Sequence, residues 1–144
     1  MAHYKASMHT PRPPEEAFAY LSDFSTTEHW DPGVVSAERL ADGPVREGTE
    51  FALVARFLGR DNAIVYRVVE FDAPISVTLL GENASVGSLD RITCEASGTG
   101  TKITYDARLS LKGPLRIAEP LLAPAFKRVG DRALEGLRRT IGEA

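Results

Sequence analysis

From Val34 onward the sequence breaks into short segments of alternating polarity, interrupted at Asp42-Gly43-Pro44, Gly59 to Asn62, Asp72-Ala73-Pro74, Asn83 to Gly87, Gly98 to Gly100 and Gly113-Pro114. Period-two alternation between clusters of turn residues predicts strands, and connections this short join neighbours that run in opposite directions. An antiparallel meander of this length has a face to bury. Only the last thirty or so residues carry enough apolar surface to cover it: Leu122, Phe126, Val129, Ala133 and Leu137 fall on one helical stripe, with Leu134 and Ile141 beside it. Lys127, Arg128, Arg132, Arg138 and Arg139 lie mainly outside that stripe. The expected fold class is α+β, a curved antiparallel sheet closed over by one long C-terminal helix.

Within the meander, Phe51, Leu53, Ala55 and Phe57 share one face and Glu50, Ala52, Val54 and Arg56 the other; Ile103, Tyr105, Ala107, Leu109 and Leu111 likewise oppose Thr104, Asp106, Arg108 and Ser110. A slip of one residue would exchange these sets, so the register is well specified. Over Ala63 to Phe71 both faces carry apolar residues and alternation does not decide which points inward. Ahead of the meander, Ala2, Tyr4, Ala6 and Met8 alternate with His3, Lys5, Ser7 and His9, which predicts a half-buried strand over Met1 to Thr10. Pro11, Pro13 and Pro14 end it. Pro14 suits the first position of a helix, and Glu15 and Glu16 suit the positive end of its dipole. Ala17, Phe18 and Leu21, with Phe24, give that helix its apolar stripe. A second short helix is expected over Ser25 to Trp30, capped by Ser25 or Thr26 and stopped by Pro32-Gly33. In the terminal helix Pro124 cannot donate to the Pro120 carbonyl, which predicts a kink or a delayed start.

No repeat, low-complexity tract or linker interrupts the chain, so residues 1–144 are expected to form one domain. A net charge of −3 leaves no electrostatic footprint for nucleic acid. No apolar run approaches the ~20 residues that a membrane span needs. Met1 to Thr10 lacks the apolar core and small-residue cleavage site of a signal peptide, and the single cysteine, Cys94, excludes an internal disulfide and fits a reducing compartment. A cytoplasmic location is expected. His3, His9 and His29 are the only histidines and form no HxxxH, HxH or Cys/His cluster; there is no phosphate-cradling glycine loop and no G-x-S-x-G elbow. Neither a metal nor another cofactor is expected.

Several landmarks occur in a familiar order. Pro13-Pro14-Glu15-Glu16-Ala17-Phe18 is followed by Leu21, Asp23 and Trp30-Asp31-Pro32-Gly33-Val34; then come Gly48 before Phe51, the corner Val69-Glu70-Phe71-Asp72-Ala73-Pro74, Gly100-Thr101 before Ile103-Thr104-Tyr105, and the helix Leu121 to Leu137. Taken together they resemble the START-like (SRPBCC) superfamily, in particular its bacterial polyketide cyclase/dehydrase-like branch. The resemblance implies a helix-grip, or Bet v 1-like, fold: a strand, two short helices, and a meander curved around the terminal helix with an internal cavity. Lipocalins and pleckstrin-homology domains also end in a helix after a meander, but they lack the helix pair after the first strand. The resemblance further implies a pocket for lipids, polyketides, hormones or other apolar molecules, and it brings no shared catalytic motif.

The expected function is the binding of a small hydrophobic, lipid- or polyketide-like molecule between sheet and helix, with Trp30, Phe57, Tyr66, Asp90, Tyr105, Leu109, Leu122 and Phe126 as ligand-binding residues. The alternative is a cofactor-independent cyclase or dehydratase working in the same cavity mainly through enforced orientation, with Asp90, Tyr105 and His29 as candidates for proton transfer. A module that regulates a protein partner is a third reading, without a trace in the residues. Trp30, the only tryptophan, either anchors the helix pair to the sheet or lines the pocket entrance, beside His29. Tyr105 points toward the helix and needs a partner, a backbone carbonyl or a ligand. Asp90 shares parity with Ile92, Cys94 and Ala96; it is either wet at a frayed strand start or a carboxylate turned inward that must find a donor. Cys94 reads as a buried, inert thiol, and Arg56, Arg67 and Arg91 face outward.

Overall fold

The computed structural model describes residues 2–57 and 59–142. Strand β1 (Ala2–Thr10) leads into helix α1 (Pro14–Ser22), a 3-10 turn (Phe24–Thr26) and helix α2 (Thr27–Trp30). The meander follows as β2 (Val34–Arg39), β3 (Glu50–Phe57), β4 (Arg60–Asp72), β5 (Ser76–Glu82), β6 (Val86–Ser97) and β7 (Gly100–Leu111). A 3-10 segment (Gly113–Ala118) then hands over to helix α3 (Glu119–Ile141). Met1, placed at the start of the first strand by the sequence, lies outside the described residues.

The seven strands form one antiparallel sheet in the order β1-β7-β6-β5-β4-β3-β2, curled about α3 in the helix-grip manner. Because β1 pairs with β7 at one edge and β2 lies at the other, the helix pair must carry the chain across the sheet, where α1 packs on β6 and α2 on β2 and α3. Pro14 opens α1, with Glu15 and Glu16 in its first turn. Thr26 holds the N-cap position of α2 but makes no side-chain cap bond, and Ser25 caps neither α2 nor the 3-10 turn. The 3-10 turn already begins at Phe24, so Asp23 serves instead: its Oδ1 accepts from the Ser25 amide at 3.0 Å. Its Oδ2 accepts from Arg39 at 2.7 Å, which ties the helix pair to β2.

The two apolar faces of residues 63–71 arise because Ala63 and Val65 are exposed on the outer face and a bulge later in the strand turns Phe71 inward. Ile64, Tyr66 and Val68 point inward; the register shifts between Val68 and Glu70, and beyond it Phe71 also turns in, meeting Phe18 edge-on with ring centroids 5.4 Å apart. Helix α3 starts at Glu119, with Pro120 in the first turn where no amide is needed, and runs on through Pro124, so its start is not delayed.

The packing is uneven. Beneath α1 and α2 the sheet is solid: Phe18, Leu21, Phe24, Phe51, Val77, Leu79, Ile92 and Ile103 are essentially inaccessible. The end of α3 joins that core through Leu134, Leu137 and Ile141. It approaches α2 so closely at Gly136 that a Cβ there would lie 1.8 Å from the Trp30 carbonyl oxygen. Earlier in α3, Gly130 lies against the Tyr4 ring, but Phe126 and Val129 do not meet a packed face. They stand over a hollow.

Candidate functional site

That hollow is a cavity of about 430 Å³ between α3 and the inner face of the sheet, within the size range of small-molecule sites. Strands β3, β4, β6 and β7 supply one wall through inward side chains such as Leu53, Phe57, Ile64, Ala107 and Leu109; α3 supplies only apolar residues and glycine. Exposed lining residues (Arg56, Arg60, Ser85 and Leu115) mark the rim, where the β3–β4 and β5–β6 turns face the 3-10 segment. The structure brings Trp30, Phe57, Tyr66, Asp90, Tyr105, Leu109, Leu122 and Phe126 to this wall. It does not bring His29 there: α2 presents Thr27 and Trp30 to the interior and leaves His29 exposed on the outside. Trp30 itself is deep rather than at the rim, 4% exposed, its indole donating to Thr26 Oγ1 at 3.3 Å. Its ring meets Tyr105 edge-on with centroids 6.4 Å apart.

The wall is apolar apart from one buried cluster. Asp90 is 5% exposed, so it is not a wet strand end. Strand β6 begins four positions earlier because Asn83 Oδ1 accepts the Ser85 and Val86 amides at 2.8 and 2.9 Å and closes the preceding turn. Strand parity then turns Ser88 and Asp90 inward together. The Ser88 hydroxyl donates to Asp90 Oδ1 at 2.6 Å and the Tyr105 hydroxyl to Oδ2 at 2.5 Å. Tyr105 therefore finds a carboxylate rather than a backbone carbonyl. Burial pushes the Asp90 pKa up, while its two donors pull against that shift. Burial and the adjacent Asp90 charge hold the Tyr105 phenol well above its ordinary range. Tyr66 is raised mainly by burial, next by Asp90, with the Ser88 hydroxyl beside it acting the other way. Its ring can lie flat over β5 because its cross-strand partner is Gly81, where a Cβ would come within 2.5 Å of it.

Asp31 carries no functional signal in the sequence. It follows Trp30 and precedes Pro32-Gly33, a pattern that reads as a turn, and its Oδ1 does accept the Gly33 amide at 2.8 Å. It also lines the cavity. Burial pushes its pKa up to about 6; the Gly33 amide opposes that shift, and the charge of Asp90 adds to it. The one clue is its position directly after the single tryptophan of an inward-facing helix. Cys94 is buried in the core with its thiol pushed up to about 11 by burial, which leaves it a poor nucleophile. Among the described residues no group of three or more His, Cys, Asp or Glu side chains could hold a metal ion, and no helix is long and apolar enough to cross a membrane.

A second depression, of about 520 Å³, lies outside the barrel between α1 and the Ala73-Pro74 corner. It is more open, and its Asp23 and Arg39 are already paired with each other. The interior cavity, with its enclosed polar cluster, is therefore the candidate site. Chemically it can hold an apolar body, orient it through the hydroxyls and carboxylates, and exchange a proton through a carboxyl group poised near neutrality.

The family model described as "Polyketide cyclase / dehydrase and lipid transport" matches residues 1–142. No match is found among curated proteins. Among solved structures, a protein from Thermus thermophilus superposes with a TM-score of 0.79 at 18% identity, covering 95% of this chain and 94% of its own. The Zhui aromatase/cyclase from a Streptomyces species gives 0.75 at 14% identity, with 96% and 94% covered. A START superfamily protein from Mycobacterium smegmatis gives 0.71 at 15% identity, with 96% and 93% covered. At these identities the likeness is one of fold.

Proposed function

Since this chain belongs to the polyketide cyclase/dehydrase and lipid transport family, we propose that it binds a small hydrophobic molecule in the cavity between its sheet and α3. The observation that carries this reading is the contrast within one enclosed space: apolar walls over most of the surface and a single polar cluster of Asp31, Ser88, Asp90 and Tyr105. An apolar ligand body would displace water from the walls and turn its polar end toward that cluster. Phe57, Leu109, Leu122 and Phe126 would contact the body of the ligand, and Trp30, Tyr66 and Tyr105 its inner end. Calorimetric titration with lipid- and polyketide-like compounds, alongside native mass spectrometry for a co-purifying ligand, tests the proposal. Saturable binding is expected, with altered emission from Trp30, whose ring stands on Tyr105. Binding without any change in Trp30 emission would place the ligand elsewhere.

The hydrogen-bonded run Ser88–Asp90–Tyr105, with Asp31 near neutrality, favours a second reading as well. In it the chain is a cyclase- or dehydratase-type enzyme that folds its substrate in the cavity and moves protons through these groups. With a substrate in hand, Asp90→Asn should then abolish turnover and Tyr105→Phe should reduce it. Unchanged turnover in Asp90→Asn would remove Asp90 from the chemistry.

A further inference from the structure

We infer that the inner end of the cavity selects apolar ligands that carry a protonated amine, with Asp31 as the specificity-determining residue. The inference rests on the cavity being the ligand site and goes on to name the class of ligand. Its basis is an accounting of hydrogen bonds and charges at the inner end.

The donors there are largely spent. Ser88 and Tyr105 both give their protons to Asp90, the Trp30 indole gives its proton to Thr26, and the Tyr66 hydroxyl lies against Ser88. Tyr4, whose ring also lines the space, sends its hydroxyl outward to Asp131 at 2.8 Å. Of the Asp31 oxygens, only Oδ1 is engaged, by the Gly33 amide. Oδ2 has no hydrogen-bond partner among the described residues, and half-buried Asp31 lines the cavity. A ligand end that needs donors, such as a ketone or a carboxylate, finds few; a ligand end that donates finds an uncommitted carboxylate oxygen.

The charges point the same way. Asp31 from the end of α2 and Asp90 from β6 face one space, and the other titratable groups on its wall are Tyr4 from β1, Tyr66 from β4, Tyr105 from β7 and two arginines. Arg56 and Arg60 are at the rim, and Arg56 is held by Asp61 at 2.8 Å. Two carboxyl groups thus share one cavity whose described cations, Arg56 and Arg60, are both exposed at its rim. A ligand's ammonium would relieve that arrangement by donating charge-assisted hydrogen bonds to Asp31. The aromatic side chains of Trp30, Tyr66 and Tyr105 line the same space, and aromatic surroundings suit such a head group.

The test is calorimetric titration of the full chain with three matched probes, 6-phenylhexylamine, 6-phenylhexanol and 6-phenylhexanoate. At about pH 8 the amine should bind at least roughly tenfold more tightly than the alcohol, and the carboxylate most weakly. The amine's advantage should shrink at least about threefold at about pH 5, where Asp31 takes up a proton. It should fall close to unity in Asp31→Asn at either pH. An alcohol that binds as tightly as the amine at about pH 8 overturns the inference while the apolar-cavity reading stands. Absence of binding by all three overturns both.

Discussion

At the scale of single residues, Asp31 is the most informative. Its folded pKa of about 6 lies above its ordinary value of 3.8, chiefly because of burial. Below the ordinary value the carboxyl is neutral in both the folded and unfolded chain and costs nothing. As pH rises toward 6 the unfolded chain ionises first, so stability is lost across that window and is not regained above it. Asp31→Asn keeps an oxygen for the Gly33 amide and removes the charge. It should therefore stabilise the protein by on the order of 2 kcal/mol at about pH 7 and by almost nothing at about pH 3.5. Denaturant melts at the two pH values measure this; equal effects at both would mean that Asp31 titrates normally. Tyr105→Phe takes one of two donors from a buried carboxylate and should cost about 1–3 kcal/mol in the same melts. Asp90 and Tyr105 are legible in the sequence because strand parity aims a side chain regardless of its polarity. Asp31 is not, because an aspartate before Pro-Gly has a sufficient local explanation as a turn residue, and only the tertiary position of that turn puts it against the cavity.

At the scale of elements, glycine fixes how closely α3 can lie on the helix pair. An alanine at an ordinary helix interior gains up to about 1 kcal/mol over glycine. At Gly136, however, the new methyl would meet the Trp30 backbone oxygen, which cannot swing aside. Overpacking should win, so Gly136→Ala is expected to destabilise by about 2 kcal/mol and to shift Trp30 emission. A neutral or stabilised variant would contradict the observed approach of α3 to α2. Phe126, half-buried over the cavity and outside the packed core, contrasts with a fully packed phenylalanine. Phe126→Ala should cost only about 1 kcal/mol, well below the roughly 3–5 typical of a filled core, and should enlarge the range of ligands bound. Arg128→Ala, on the exposed face, should stay within about 0.5 kcal/mol. The strands and α3 can be read from the sequence because period and turn chemistry are local. The Val68/Glu70 bulge and the Asp23 cap cannot: the first is set by pairing with β5 and by contacts to Gly48 and Thr49, the second by a 3-10 start one residue earlier than an α-helical pattern implies.

At the scale of the whole molecule, function depends on the division between a solid half and a hollow half. The aromatic and aliphatic core under α1 and α2 stabilises the fold, which leaves the face under the first part of α3 free to remain unfilled. The family resemblance implies a cavity, and the alternation of β3 and β7 supplies much of its wall; its depth at Trp30 and the exclusion of His29 follow from how α2 is rotated against α3, which no local pattern reports. The most direct test is a methyl-resolved NMR titration with a small apolar probe such as 6-phenylhexanol. Binding in the interior predicts saturable shifts at the methyls of Leu53, Ile64, Leu109 and Leu122, which line the cavity, with Ile117, Leu121 and Leu40 on the exposed surface unmoved. Shifts confined to those exposed residues, or none at the lining methyls at saturation, would contradict the account.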